Sequence, residues 1–399
     1  MNAISVSSAN DRRLNGTGFG KTMAVWLAGI VVPVLLFWPP LYTIARNRAS
    51  TGDNDFLAFY VSGQLVLQGK LYNMPAFQAA EAKILTNSVP ALLLKRQAVR
   101  PPFFAVAFWP SAQLPFGVAS AIWMAVLLVA TIGFVWLWPD RLAAAIACIW
   151  SAGLSACIVS AQDPPLILLW LAIALYIRKA HPFLAGMLFA LCAAKFHIFV
   201  FLPVLLWRHR LWRGFLAGGI ALMAASFAAG GWHWPQQYFA ALSQDIVSPG
   251  VENMANLRGV FIAWPHAGAW EMGTSFLVAA AVIAVVWKAD FLGGLTVVLL
   301  GGMLVSHHAY VQDCALLIPV VLIALRDIPK WLLARWWGLI PVALVLIPLS
   351  RLAEFFWPMS NCALARVAIV VLLASQIVAI RRGHEDTGGP SCPVRGTLV

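Results

Sequence analysis

The chain has 399 residues, of which 61% are hydrophobic and only 11% are charged, and its formal net charge is +12. Soluble domains carry about 25% charged residues, so this composition excludes an ordinary soluble protein. The apolar runs are continuous and long enough to cross a bilayer many times, whereas a membrane β-barrel alternates apolar and polar residues. The basic residues form short clusters between these runs, so we expect a bilayer environment and no nucleic-acid partner. The composition predicts an all-α polytopic membrane protein.

The distribution of basic residues predicts the topology. Arg12, Arg13 and Lys21 precede the first apolar run, so residues 1–21 are predicted to be a cytoplasmic tail. We expect about 12 crossings (about 11 to 13) of a bacterial-type inner membrane, with both termini cytoplasmic. The predicted segments are one membrane domain at 22–381, outer loops at 46–116, 231–272 and 306–313, and a disordered cytoplasmic tail at 382–399. The predicted crossings are 22–45, 117–138, 142–160, 164–177, a hairpin at 183–207, 214–230, 274–287, 292–305, 314–325, 336–349 and 364–380.

The first outer loop contains "GDNDFLAFYVSGQLVLQGKLY" at residues 52–72. Its apolar positions recur at helical spacing, which predicts a helix lying along the outer membrane surface. Asp55 stands at the start of this helix, where a carboxylate commonly caps backbone N–H groups, and capping alone would explain it. Asp53 is interpreted as a solvated neighbour. The apolar face is predicted to comprise Phe56, Phe59, Tyr60, Gly63 and Leu67.

Arg100 precedes a Pro pair at the outer boundary of the next crossing. The segment reads structurally as a Pro-broken entry into the bilayer. A cation at this depth also suits a lipid phosphate, because a guanidinium holds two phosphate oxygens at once.

The segment 183–207 is flanked by Arg178 and Lys179 on one side and by "RHRLWR" on the other. A single crossing would place one basic cluster outside, whereas two half-length helices keep both inside. Lys195 and His197 then lie near the apex. An ionisable group at membrane depth indicates a functional site, and snorkelling is the alternative; charged flanks more than about ten residues away weaken that alternative.

The segment "SHHAYVQD" places His307, His308, Tyr310 and Asp313 at one outer turn. The spacing differs from that of a helical HExxH site, so no metal site is predicted. A polar cluster that binds sugar or phosphate is favoured, and His308 can carry charge beside a phosphate. The aromatic and amide residues of loop 231–272 are compatible with a glycan, although an interfacial aromatic belt explains most of them.

Five segments together resemble the GT-C glycosyltransferases of family 87, which use polyprenyl-phosphate mannose. They are "DFLAFYVSGQLVLQGKLYN", "RPPFFAVAFWPSAQLP", "AGMLFALCAAKFHIFVFLPVLLW", "NLRGVFIAW" and "SHHAYVQDCALLIP", in family order over roughly residues 50–320. A Gly-Gln-x-Asn element reads "SAQDPP" here, which keeps Gln162 and replaces the Gly and the Asn. Arg100 stands where such sequences often have an aromatic residue.

The resemblance implies a GT-C bundle that transfers a hexose, mannose in the family, from a polyprenyl-phosphate donor to a lipid or glycan hydroxyl on the outer face. It implies an inverting, metal-independent reaction without a cofactor. Asp55 maps to the general base. The candidates for binding the donor phosphate are Arg100, Lys195, Arg258 and His308. The candidates for binding sugar or acceptor are Tyr60, Gln162, His197, His307, Tyr310 and Asp313.

Two other functions remain open at this point. About 12 crossings with both ends inside also fit a transporter or flippase, although that class is expected to show a repeat with broken helices, and one hairpin without a counterpart is found. An inactive family member that acts as a scaffold is the third possibility. We expect a monomer.

Overall fold

The computed structural model describes residues 31, 34–35, 38–51, 54–85, 100–243, 250–327, 366–367, 369–374 and 377. Within these segments every regular element is a helix, in agreement with the predicted all-α class. Several expectations lie outside the described residues: both tails, Asp53, the crossing at 336–349, and parts of the first and last crossings.

The α-helices in chain order are α1 (Trp38–Thr51), α2 (Phe56–Val66), α3 (Met74–Ile84), α4 (Pro102–Ala107), α5 (Phe116–Leu137), α6 (Arg141–Trp150), α7 (Ala152–Ser160), α8 (Pro164–Ile177), α9 (Pro182–Ala190), α10 (Leu202–Arg208), α11 (Trp212–Gly230), α12 (Trp234–Ser243), α13 (Leu257–Phe261), α14 (Ala267–Val286), α15 (Phe291–Val305) and α16 (Ile318–Asp327). The 3₁₀ segments are Ser111–Gln113, Leu191–Lys195, Val251–Asn253 and Val311–Leu317.

Three of the described helices, α5, α11 and α14, are long and apolar enough to cross a bilayer. The pair α6 and α7 qualifies as a fourth span only when taken together, because the two helices are bent by 64°. The Ser151 hydroxyl accepts a hydrogen bond from Leu154 N at this break, so a serine cap restarts the helix where the sequence predicted one continuous crossing. The remaining apolar helices have 10–17 residues. The predicted count of about 12 crossings is therefore not confirmed.

The hairpin predicted at 183–207 is present. Helix α9 continues into the 3₁₀ segment Leu191–Lys195, and α10 leads the chain back toward the end of the bundle at which α9 begins. Gly186 packs so closely against helix α11 that a Cβ there would lie 2.8 Å from Phe215 N. Arg178 stacks on the Phe291 ring at 4.5 Å, and the His209 ring lies 5.2 Å from the same ring. Both basic flanks therefore meet at one end of the bundle.

Helix α2 is buried within the protein on all sides, so the prediction of a single apolar face is wrong, and its position along the membrane surface stays a prediction. Nine of its 11 residues are buried. Gly63 crosses the chain at Phe108 so closely that a Cβ would lie 2.7 Å from the Phe108 carbonyl carbon. Leu67, assigned to the apolar face from the sequence, lies after the helix and is exposed. Polar residues in this helix are few, and a helix that is apolar on every side packs inside a protein.

Helix α8 separates two polar ends of the bundle. It begins after Asp163 and ends before Arg178, and its 14 residues span about 21 Å. Residues Arg178, His209 and Phe291 lie at its end, whereas the polar turns at 160–163, 194–195 and 306–313 meet at its start. The candidate site lies at this second end.

Candidate functional site

The Asp55 carboxylate is held by a side chain from a distant turn. Gln162 Nε2 donates a hydrogen bond to Asp55 Oδ2 at 2.6 Å, and Asp55 N donates to Ser160 O at 2.9 Å. Asp55 occupies the N-cap position of α2, but its side chain makes no capping hydrogen bond. Capping therefore does not explain this residue, and its half-buried carboxylate is positioned by the turn between α7 and α8.

Next to this contact lies a buried chain of four charged residues. Arg100 Nη2 donates to Asp163 Oδ1 at 2.8 Å, and Lys195 Nζ lies 3.5 Å from the same oxygen. Lys195 Nζ also donates to Asp313 Oδ1 at 2.5 Å. The four residues are 8% (Arg100), 0% (Asp163), 4% (Lys195) and 2% (Asp313) exposed. Two cations and two carboxylates cancel, which is how a protein tolerates buried charge.

The local sequence positions three of these four charged residues. Arg100 precedes the Pro pair that starts α4, and its Nη1 donates to Ala194 O at 2.6 Å. Asp163 precedes the Pro pair that starts α8 and makes no side-chain cap. Asp313 Oδ2 accepts from Tyr310 N at 2.9 Å in the first turn of the segment Val311–Leu317. The two sequence interpretations of Arg100 are thus compatible: it precedes the Pro pair that starts α4, and it is also a buried cation of the site.

Lys195 does not snorkel to an interface, because its ammonium group is buried against two carboxylates. Its neighbour His197 lies in the turn after the segment Leu191–Lys195, and the buried His197 Nε2 has no hydrogen-bond partner among the described residues. Both residues belong to the apex of the hairpin, as the sequence predicted.

Arg258 and His307 form a second, more open group. The Arg258 guanidinium contacts His307 Nε2, and His307 Nδ1 lies 3.8 Å from Glu271 Oε1. Asn256 fixes this arrangement, because its side chain accepts from Gly259 N at 3.0 Å and donates to Ser306 O at 2.6 Å. Arg258 is half-buried and the His307 side chain is 73% exposed, so both remain accessible from outside the protein.

His308 packs edge-to-face against Tyr310, with ring centroids 4.7 Å apart. The residue is exposed, yet desolvation by the surrounding protein lowers the pKa of His308 to about 4, and Asp313 opposes this effect only partly. Lys195 and Arg100 lower the pKa further. His308 is therefore neutral at pH 7 and presents an imidazole rather than a cation at this end of the bundle.

Tyr60 is placed differently from the other predicted site residues. Its hydroxyl donates to Leu114 O at 2.7 Å, and its ring packs edge-to-face on Phe116 at 5.3 Å. The residue is buried in an aromatic cluster with Phe56. The structure gives it a packing role and does not bring it into the charged chain.

Asp163 is the site residue that the sequence analysis missed. The sequence prediction includes Gln162, the retained position of the Gly-Gln-x-Asn element, and does not include the adjacent Asp163. The sequence does contain a signal for this residue. Asp163 is an acid that lies directly before a Pro pair in a predicted outer turn. Within the described residues, no group of three or more His, Cys, Asp or Glu side chains is placed to hold a metal ion.

Comparison with known proteins supplies the family. The model of glycosyltransferase family 87 matches residues 99–307, a segment that includes Arg100, Asp163, Lys195 and Arg258 and leaves out Asp55. Searches of curated proteins and of solved structures give no significant match. Because the matched segment is more than half of the chain, the protein belongs to glycosyltransferase family 87, and this membership implies glycosyltransferase activity.

Proposed function

We propose that the protein transfers a hexose, mannose in the first instance, from a polyprenyl-phosphate donor to a hydroxyl of a lipid or glycan acceptor. The reaction takes place on the outer face of an inner membrane, without a metal or a cofactor. One observation carries the proposal: the half-buried Asp55 carboxylate does no capping and is held by Gln162 beside a group of buried charges.

In this mechanism Asp55 acts as the general base. The acceptor oxygen attacks the anomeric carbon from the side opposite the phosphate, and the configuration inverts. As the new C–O bond forms, the bond to the phosphate oxygen breaks and the polyprenyl phosphate leaves with the electron pair. The proton of the acceptor hydroxyl passes to Asp55.

The leaving phosphate needs a cation, and the charge balance of the site favours Arg258 for this role. Arg100 and Lys195 are already paired with Asp163 and Asp313 and contribute no net charge. Arg258 is half-buried and contacts His307, with no carboxylate directly on its guanidinium among the contacts described above. Neutral His308 and Tyr310 are proposed to donate hydrogen bonds, and Gln162, His197, His307 and Asp313 complete the polar lining.

Sugar transfer by purified protein in lipid nanodiscs tests the proposal. Asp55→Asn is expected to lower kcat by about 10²- to 10⁴-fold, the contribution of a general base, with the fold retained. Asp140→Asn is the matched control, because Asp140 caps Ala143 N at 3.0 Å in α6 and has no place in the mechanism. Arg258→Gln is expected to lower kcat, because the charge that develops on the leaving phosphate loses its cation, and to raise the KM for the donor, because the same guanidinium binds the phosphate before transfer.

Each alternative predicts a different result. Near-normal turnover by Asp55→Asn would remove Asp55 as the base. Movement of a lipid across the bilayer without sugar transfer would establish a transporter. Absence of transfer from every polyprenyl-phosphate sugar by the wild-type protein would indicate a scaffold.

A further inference from the structure

We infer that Asp163 is a positioning residue that holds the Gln162 carboxamide against Asp55. This role rests on the proposed function, since it assigns Asp55 to the reaction. Asp163 touches neither Asp55 nor, in the mechanism above, a substrate, and it acts through the turn that it shares with Gln162.

The turn at residues 160–163 needs an external anchor. Ala161 has φ 54° and ψ 41°, a left-handed conformation that is unfavourable for a residue with a Cβ and persists only when its surroundings impose it. Gln162 N donates to Cys157 O at 2.9 Å, and Trp123 Nε1 donates to Ala161 O at 2.8 Å. These bonds fix the backbone at the start of the turn, and Asp163 is the residue that fixes its end.

Asp163 reaches two other parts of the chain through one oxygen. Oδ1 accepts from Arg100 Nη2 at 2.8 Å and lies 3.5 Å from Lys195 Nζ, whereas Oδ2 has no hydrogen-bond partner among the described residues. Arg100 is itself tied to Ala194 O at 2.6 Å. The carboxylate therefore joins the 160–163 turn to the loop before α4 and to the apex of the hairpin.

Capping does not explain Asp163. It occupies the N-cap position of α8, but its side chain makes no capping hydrogen bond. Asp55 shows the same departure at the head of α2. Asp163 and Asp55 thus both direct their carboxylates away from the helices that they precede. Gln162, which is adjacent to Asp163 in the chain, donates a hydrogen bond to Asp55.

A matched pair of double variants separates positioning from charge balance. Arg100→Gln with Asp163→Asn leaves the pair of Lys195 and Asp313, joined at 2.5 Å. Lys195→Met with Asp313→Asn leaves the pair of Arg100 and Asp163, joined at 2.8 Å. Each protein retains one neutral, directly bonded ion pair, so the two variants have the same net charge and differ in which acid and which cation remain.

The first readout is labelling of Asp55 by a carbodiimide in the purified full-length protein, resolved from other acids by tandem mass spectrometry. Labelling is expected to rise severalfold when Asp163 is lost and to stay at the wild-type level when Asp163 remains. The second readout is kinetic: loss of Asp163 is expected to lower kcat by about 100-fold, the scale of a small misplacement, and to leave the donor KM unchanged.

Equal labelling of Asp55 in the two double variants would overturn the inference. If the variant without Asp163 does not fold, Arg100→Lys is used instead, because it keeps the charge and loses the planar fork that reaches Asp163. Its expected result is an intermediate rise in labelling, and unchanged labelling would contradict the inference. Because labelling requires no turnover, failure of the wild-type protein to transfer sugar would remove the proposed function alone.

Discussion

At the scale of single residues, Ala161 shows why the site turn is unusual. The Gly-Gln-x-Asn element that this turn resembles has Gly at this position, and the chain has Ala in a left-handed conformation with φ 54°. A Gly adopts this conformation without steric cost, whereas an L-residue loses about 1–2 kcal/mol. Having Ala instead of Gly at position 161 therefore places a strained backbone conformation next to Gln162.

Replacing Ala161 by Gly is expected to stabilise the protein. Relief of the strain outweighs the greater freedom of Gly in the unfolded chain, and we expect a net gain of about 0.5–1 kcal/mol. Thermal unfolding in detergent measures it. Ala156→Gly, inside helix α7, is the control and is expected to destabilise by up to about 1 kcal/mol. A lower melting temperature for Ala161→Gly would show that the turn does not carry this strain.

The sequence identified most residues of the site but not their pairings. Lys195 stood out because a charge amid apolar residues is costly, and Asp55 because it heads a helix. Their partners, Asp313 and Gln162, lie 118 and 107 residues away in the chain. No local pattern specifies such pairs. For this reason the sequence alone predicts Lys195 as a cation free to bind phosphate and does not reveal its pairing with Asp163 and Asp313.

At the scale of elements, the site depends on close packing between α7 and the segment Val311–Leu317. Gly153 in α7 faces the Ala315 backbone nitrogen so closely that a Cβ would clash with it, and the Cys314 carbonyl carbon lies 2.8 Å from that position. These backbone atoms cannot move aside like the end of a flexible side chain. Gly153 therefore lets α7, which leads into the turn that contains Gln162, approach the segment that contains Asp313.

Gly153→Ala is expected to destabilise the protein by about 1–3 kcal/mol, because overpacking outweighs the roughly 1 kcal/mol that Ala gains over Gly in a helix. Gly219→Ala in α11 is the matched control, since a Cβ there meets nothing within 4 Å. The control is expected to be neutral or stabilising in the same unfolding assay. Equal effects of the two substitutions would exclude the proposed clash.

Helix α2 illustrates how an element can be predicted correctly while its burial is predicted wrongly. Its helical spacing and its start at Asp55 were read from the sequence. The surface position was inferred from one apolar face, but residues on the other face, among them Leu57 and Val61, are also buried. Burial on that face comes from other elements of the chain, which periodicity within one helix does not reveal.

At the scale of the whole molecule, α8 separates two polar ends of the helix bundle. This separation is compatible with the predicted topology, in which successive polar turns lie on opposite sides of the membrane. The basic flanks at Arg178 and His209 meet at one end, and the candidate site lies at the other. The positive-inside rule predicts that the first end faces the cytoplasm. The orientation of the site toward the outer face follows as a prediction.

Fusion to a reporter that is active only in the cytoplasm tests this orientation. A fusion at residue 250 is expected to give no signal, because this position belongs to the predicted outer loop 231–272. A fusion after Arg210, in the basic cluster at the hairpin flank, is expected to give a strong signal. The reverse pattern would place the candidate site in the cytoplasm and contradict the proposed function.

The sequence by itself determined the all-helical membrane class, the start of helix α2, the reversal at 183–207 and the family resemblance. These properties depend on composition, on local periodicity and on charges near chain reversals, all of which are written along the chain. Only the tertiary structure decided that α2 is buried, that α6 and α7 are bent at Ser151, and that Lys195 is neutralised by Asp163 and Asp313. Contacts across long sequence separations decide these features, because burial and charge pairing are properties of neighbours in space.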